Sequence, residues 1–107
     1  YNSNFTEIPT AVKDNDENIT KEFRLLQNYP NPFNPSTVIS YQIPENSNVE
    51  LKIYDILGKE VATLVNQNQI AGSYNINFDA AKLASGMYIY RLKADNFLES
   101  KKMVLIK

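Results

Sequence analysis

Hydrophobic and polar residues alternate in short runs along most of the chain after Phe23. The alternation is clear in residues 39–43, 49–54 and 74–78, and weaker in 61–65. Successive side chains of a strand point to opposite faces, so each run predicts a strand with one apolar and one polar face. A sustained helical stripe is absent from the sequence after residue 23.

Two later segments, 87–94 and 98–106, carry apolar residues on both faces, which predicts strands nearer the centre of a sheet. A short strand near 24–28 brings the total to about seven, with turn residues at regular spacings. The predicted fold is therefore all-β, an immunoglobulin-like antiparallel β-sandwich.

Turn residues between these runs support short antiparallel connections. Asp55 is suited to cap a turn with its own carboxylate, and Gly58 to adopt the positive φ of a bulged hairpin. Asp95 and Asn96 tolerate positive φ and predict a second tight hairpin. Tyr88, just after a glycine turn, fits either a tyrosine corner bonded to upstream backbone or an ordinary core tyrosine.

Residues 1–23 differ from the rest by being polar, acidic and without regular hydrophobic period. Such a segment buries too little apolar surface to offset its ordering entropy, so we expect a mobile linker preceding a compact domain at 24–107. The sequence begins at Tyr1 and shows no signal-peptide pattern, which we interpret as a fragment of a larger protein.

Composition narrows the possible chemistry. The 107 residues include 0 Cys and 0 His, which excludes thiolate or imidazole metal sites, thiol nucleophiles and histidine-based triads. The net charge of −1 gives no overall field for nucleic acid or an anionic membrane. We therefore expect no catalytic residue, no cofactor, no nucleic-acid partner and no direct membrane insertion.

An oxygen-rich motif in the acidic segment comes closest to a metal site. Asp14, Asp16 and Asn18 match the first, third and fifth positions of an EF-hand loop. The match ends there, because Ile19 replaces the turn glycine and Leu25 replaces the bidentate glutamate. We expect no bound metal.

The chain contains 7 Tyr and 5 Phe, which raises the alternative of a stacking platform for sugars or single-stranded nucleic acid. Tyr54 is the best exposed candidate, since it shares a face with Glu50 and Lys52. Aromatic residues at alternating strand positions usually form core, and no tryptophan accompanies them.

The least ordinary segment is 27–37, QNYPNPFNPST, in which three prolines fix φ and push the preceding residues toward extended geometry. It predicts a stiff crossing between strands, either a simple linker or a recognition surface. Residues 25–37 closely resemble the opening of the C-terminal sorting domain of type IX secretion cargo from Bacteroidetes. Later blocks at 54–61, 71–74, 83–88 and 101–107 resemble the successive family blocks in order.

This resemblance implies a domain that passes through the periplasm together with a larger cargo protein. It then directs that cargo across the outer membrane to the cell surface or medium. The resemblance implies two partners, an outer-membrane translocon and a surface sortase-like peptidase, with the cleavage zone somewhere in 1–23. Carried over by position, the recognition residues lie in the opening and terminal blocks and at two glycines: Asn31, Pro32, Phe33, Asn34, Pro35, Gly72, Gly86, Lys101, Lys102, Met103, Val104, Leu105, Ile106 and Lys107.

A second interpretation is an accessory immunoglobulin-like module for adhesion or carbohydrate binding, since residues 54–59 also resemble part of flagellar hook-cap proteins. The opening block favours sorting. In a regular last strand, Lys101 and Lys102 point to opposite faces, so at least one lysine should project into solvent.

Overall fold

Residues 22–107 are described by the computed structural model, and within them every regular element is a β-strand. The EF-hand-like residues Asp14, Asp16 and Asn18 lie outside these described residues. The strands are β1 (Arg24–Leu25), β2 (Ser36–Ile43), β3 (Ser47–Asp55), β4 (Glu60–Gln69), β5 (Gly72–Asp79), β6 (Gly86–Ala94) and β7 (Phe97–Leu105). Residues 22–107 contain no helix that is long and apolar enough to cross a membrane.

The strands form two antiparallel sheets, as the sequence predicts. One sheet has the order β1-β2-β5, and the other has the order β4-β3-β6-β7. Both faces that meet between the sheets are built from the alternating apolar positions. The residues with no exposed surface are Ile39, Tyr41 and Ile43 of β2, Val49, Leu51 and Ile53 of β3, and Tyr90, Leu92 and Ala94 of β6, with Met103 of β7.

β4 departs from the regular pattern. Its pairing with β3 shifts register between Leu51 and Lys52 and again between Ile53 and Tyr54. Such shifts insert residues into one strand and rotate the following side chains. Val65 is therefore buried while Thr63 is exposed, which explains why the alternation in 61–65 is weak.

The position of β7 corrects one prediction. β6 lies between β3 and β7, as expected for a strand that is apolar on both faces, but β7 lies at the edge of its sheet. The prediction of a central strand at 98–106 was therefore wrong. The apolar run misled because Met103 and Leu105 face the core, whereas Val104 faces outward and is half-buried.

The predicted turns are confirmed. Asp55 Oδ1 accepts hydrogen bonds from the backbone N–H groups of Leu57 and Lys59, both at 2.9 Å, and Gly58 has φ 87°. Asp95 has φ 54° in the β6–β7 turn. The Tyr88 hydroxyl donates to the Ala84 carbonyl at 2.7 Å, which is the bond of a tyrosine corner.

Candidate functional site at the edge of the last strand

The proline-rich opening segment, residues 27–35, runs along the outer edge of β7. The Phe33 N–H donates to the Val104 carbonyl at 2.9 Å, and the Ile106 N–H donates to the Phe33 carbonyl at 3.0 Å. These two bonds form a parallel bridge between Phe33 and Leu105. The start of the domain is thereby joined to its last strand.

Side chains of the opening segment extend this contact. Asn31 Oδ1 accepts a hydrogen bond from the Val104 N–H at 3.0 Å, and Gln27 Nε2 donates to the Lys102 carbonyl at 2.8 Å. The backbone at 102, 104 and 106 is therefore bonded on the side away from β6. An exposed edge strand invites pairing with other chains, and this segment covers its C-terminal half.

The opening segment is held in shape by a buried polar network. Asn28, 2% exposed, donates through Nδ2 to the Pro30 carbonyl at 3.1 Å and to Thr37 Oγ1 at 3.0 Å. The Thr37 hydroxyl in turn donates to the same Pro30 carbonyl at 2.9 Å. Phe33 supplies the apolar anchor, since it is buried and its ring lies 6.3 Å from that of Phe78.

Tyr90 of β6 fixes the beginning of this segment from within the core. Its hydroxyl donates to the Leu26 carbonyl at 2.6 Å and accepts from the Asn28 N–H at 2.8 Å. Burial raises the pKa of Tyr90 to about 12, so the phenol stays protonated and able to donate. Sequence reasoning placed Tyr90 in a strand but missed this contact, because no local spacing signals a partner so far away along the chain.

The terminal block divides into core and surface residues. Met103 and Leu105 are buried, whereas Lys102, Ile106 and Lys107 are exposed. Lys101 and Lys102 lie on opposite faces, as expected, and Lys101 Nζ lies 3.7 Å from Glu99 Oε2. Met103 and Leu105 are therefore part of the core of the domain.

Lys107 is bonded within the domain. Its ammonium donates to the Ala81 carbonyl at 2.6 Å and to the Leu83 carbonyl at 2.9 Å, while its backbone N–H donates to Ser85 Oγ at 3.0 Å. The last residue therefore fastens the loop between β5 and β6. Sequence reasoning named Lys107 but did not find these three loop partners.

The two glycines behave differently. Gly86 begins β6 opposite Leu105, next to the bridge with Phe33, whereas Gly72 begins β5 opposite Ile43. Gly72 and Ser36 lie at opposite ends of the three-stranded sheet, so the structure does not bring Gly72 to the edge of β7.

The other prolines and asparagines of the opening block differ in their surroundings. Pro32 and Asn34 are exposed, and the Pro35 carbonyl accepts a hydrogen bond from the Ala80 N–H at 2.9 Å.

Two other features bear on chemistry. A groove of about 260 Å³ lies beside the loop that Lys107 fastens, and it is lined by Val61, Ala62, Phe78, Asp79, Ala81, Lys82 and Leu83.

Within residues 22–107, no three acidic side chains converge to hold a metal ion. Tyr54 does face outward, but Arg91 Cζ lies 4.7 Å from its ring centroid, so one face of the ring is already occupied.

Similarity to known proteins is found at the level of a sequence family and of a fold. The family model described as a secretion system C-terminal sorting domain matches residues 27–107. None of the curated proteins matches the chain. Among solved structures, the chain is similar to PorZ, an essential bacterial surface component of the type-IX secretion system of Porphyromonas gingivalis, with a TM-score of 0.50 and 20% sequence identity.

The PorZ match covers 76% of this chain and 11% of the PorZ chain, and at that identity it supports the sandwich fold alone. The family match covers most of the chain, from Gln27 in the opening segment to Lys107. The sorting-domain family is not catalytic, and it implies secretion to the cell surface or outside the cell. The chain therefore belongs to the family of secretion system C-terminal sorting domains, the sorting signals of type IX secretion.

Proposed function

We propose that residues 24–107 are the removable address of a larger, secreted cargo protein, to which residues 1–23 form the linker. The domain crosses the periplasm with its cargo, engages an outer-membrane translocon and is cut from the cargo by a surface sortase-like peptidase. The domain itself carries no catalytic step. The sorting function of the family supports this proposal.

The joining of the opening segment to β7 is the observation that carries the proposal. Two of the sequence blocks that resemble the family, far apart along the chain, meet through the bonds of Phe33 and Asn31 to the backbone around Val104. A partner that contacts this edge meets both blocks at once. The edge is therefore the best candidate for what the translocon recognises, with the exposed Asn31 and Lys102 as its central residues and the buried Phe33 as the anchor that holds the segment there.

A reporter fusion tests the address. A periplasm-directed reporter enzyme is joined to the full chain and expressed in a bacterium that has type IX secretion, and reporter activity is measured in the periplasm, on the surface and in the medium. We expect activity on the surface or in the medium. The same reporter without the chain is the control, and retention of the fusion in the periplasm would contradict the proposal.

Limited proteolysis tests the proposed boundary. The full chain is digested briefly and the products are identified by mass spectrometry. Cleavage before residue 24 with survival of the sandwich supports a linker at 1–23, whereas first cleavage within β3 or β4 contradicts it.

A further inference from the structure

Large apolar side chains are exposed together at one end of the four-stranded sheet. Four of them form what we call the end patch: Ile56, Leu57, Met87 and Ile106, with exposed fractions of 68%, 89%, 42% and 52%. The register explains why they are neighbours. Asp55 pairs with Tyr88 and Gly86 pairs with Leu105, so Ile56, Met87 and Ile106 lie within one residue of these aligned positions.

The patch continues onto the outer face of the sheet. Met87 lies directly opposite Val104, and both side chains point away from the core because Tyr88 and Met103 point into it. Directly opposed side chains of antiparallel strands have Cβ atoms about 5 Å apart, so Met87 and Val104 form one continuous apolar surface. Isolated exposed apolar residues need no explanation, but a cluster of this kind marks an interaction surface.

The most exposed part of the patch is rigid. Ile56 and Leu57 occupy the β3–β4 turn, whose backbone is held by the two bonds to Asp55 Oδ1 and by the Gly58 N–H donating to the Asp55 carbonyl at 3.0 Å. A side chain displayed on a fixed turn loses little conformational entropy on binding. Leu57 is thus already held in the position from which it can enter an apolar pocket.

Charge differs between the two sides of the patch. At the turn, Lys59 lies between the carboxylates of Asp55 and Glu60, so that side is not cationic. On the outer face, Lys102 lies next to Val104, and none of the ion pairs seen between residues 22 and 107 includes it. The side of the patch at Lys102 is therefore cationic, which favours an acidic group opposite that lysine.

We propose that the end patch docks onto a protein of the secretion machinery that presents an apolar pocket with an acidic group facing Lys102. This inference rests on the proposed function and adds the contact surface and the chemistry of the partner. A protein is favoured over an anionic bilayer because the chain as a whole has a net charge of −1, and a bilayer binds through summed positive charge.

Export of the reporter fusion tests the patch. The double variant Leu57→Glu with Met87→Glu places two acids in the apolar centre, and we expect export to fall about tenfold or more, as for the loss of central interface residues. Lys102→Glu should cause a smaller fall. Because these side chains are exposed, the unfolding midpoint of the purified chain should stay at the parent value.

Matched controls come from the opposite end of the molecule. Ile70 and Leu98 are 70% and 59% exposed, so Ile70→Glu with Leu98→Glu makes the same change in charge and apolarity away from the patch. Lys93→Glu is the control for Lys102→Glu, since Lys93 is an exposed lysine of the same sheet opposite Leu98. Export of both controls at the parent level supports the inference.

Export of the Leu57→Glu, Met87→Glu fusion at the parent level would overturn the patch and leave the proposed function intact. Retention of the unmutated fusion in the periplasm would overturn the proposed function and this inference together. Sedimentation of the purified chain with vesicles of phosphatidylglycerol and phosphatidylcholine, lost in the double variant, would overturn the protein partner in favour of a lipid surface.

Discussion

Tyr90 shows how single residues join distant parts of this domain. Its ring belongs to the core, and its hydroxyl satisfies one carbonyl and one N–H of the opening segment. Alternation along β6 predicts the burial of Tyr90. The two partners, 62 and 64 residues away, are set by tertiary packing and leave no trace in the local sequence.

Buried tyrosines give the domain a defined response to alkali. Burial raises the pKa of both Tyr41 and Tyr90 to about 12, whereas a tyrosine in the unfolded chain titrates near 10. Unfolding therefore releases protons above pH 10, so their contribution to stability is complete below pH 10 and is lost as the pH rises to about 12. We expect the free energy of unfolding, measured in urea, to fall over this interval.

The control separates these tyrosines from other groups that titrate in alkali. Tyr90→Phe should lower stability by about 1–3 kcal/mol at neutral pH, because it leaves buried polar groups unpaired. It should also reduce the slope of the unfolding free energy between pH 10 and 12. Tyr29→Phe, at a residue that is 80% exposed, should change neither quantity. Equal slopes in all three proteins would refute the assignment.

At the scale of elements, the opening segment takes the place of a strand beside β7. Its prolines predict correctly that it is neither helix nor regular strand, but the sequence left a linker and a recognition surface equally open. The apolar run in the last strand predicted a central position, whereas the strand lies at the sheet edge with Val104 facing outward. Hydrophobic period alone does not distinguish a strand flanked by a second strand from one flanked by a covering segment.

Asn31→Ala tests whether the opening segment protects the edge of β7. The variant removes the side-chain acceptor of the Val104 N–H, so we expect amide hydrogen exchange at Val104 to accelerate roughly 2- to 10-fold, as one net hydrogen bond allows. The Ile106 amide, bonded to the Phe33 backbone, should change less. Asn34→Ala is the matched control, because Asn34 is exposed and makes no side-chain hydrogen bond within the described part of the chain. An unchanged rate at Val104 would contradict this role.

Lys107→Met tests the terminal contact with the β5–β6 loop. Methionine keeps most of the apolar stem but removes the donor to the Ala81 and Leu83 carbonyls, so the free energy of unfolding should fall by about 1 kcal/mol. Denaturant titration measures the change. Lys102→Met, which removes an exposed ammonium that forms no such bond, should have little effect. Equal stability of the two variants would show that the loop does not depend on Lys107.

At the scale of the whole molecule, the fold and its turns could be predicted from the sequence, whereas the site could be predicted only in part. Alternation at 39–43 and 49–54, with the turn chemistry of Asp55 and Gly58, specifies local structure directly. The outer edge of β7 depends on which segments meet across the domain, and hydrophobic period carries no such information. The family resemblance identified Asn31, Phe33 and Lys102 as recognition residues, and the structure brings them together at the edge of β7. It also identified Gly72, which lies in the three-stranded sheet opposite Ile43.

Stability of the whole domain should not depend on a metal ion. The EF-hand-like match in the sequence is incomplete, and residues 22–107 offer no acidic cluster. A chelator lowers the Tm of a protein whose folded state binds a metal ion, because it removes the free energy of binding. We expect no bound ion here, so the Tm of the full chain should stay unchanged when a chelator is added. A fall of more than a few degrees would contradict the prediction, and readdition of Ca²⁺ or Mg²⁺ would identify the ion.

The bridge between Phe33 and Leu105 has a consequence for truncated chains. A chain cut after β6 lacks the backbone groups of β7 to which Phe33 and Asn31 are bonded, and it lacks the lysine that fastens the β5–β6 loop. The two ends of the domain therefore complete one another, and neither block forms this edge alone. Under the proposed function, a cargo that has lost β7 would lack the surface that the translocon contacts and would stay in the periplasm.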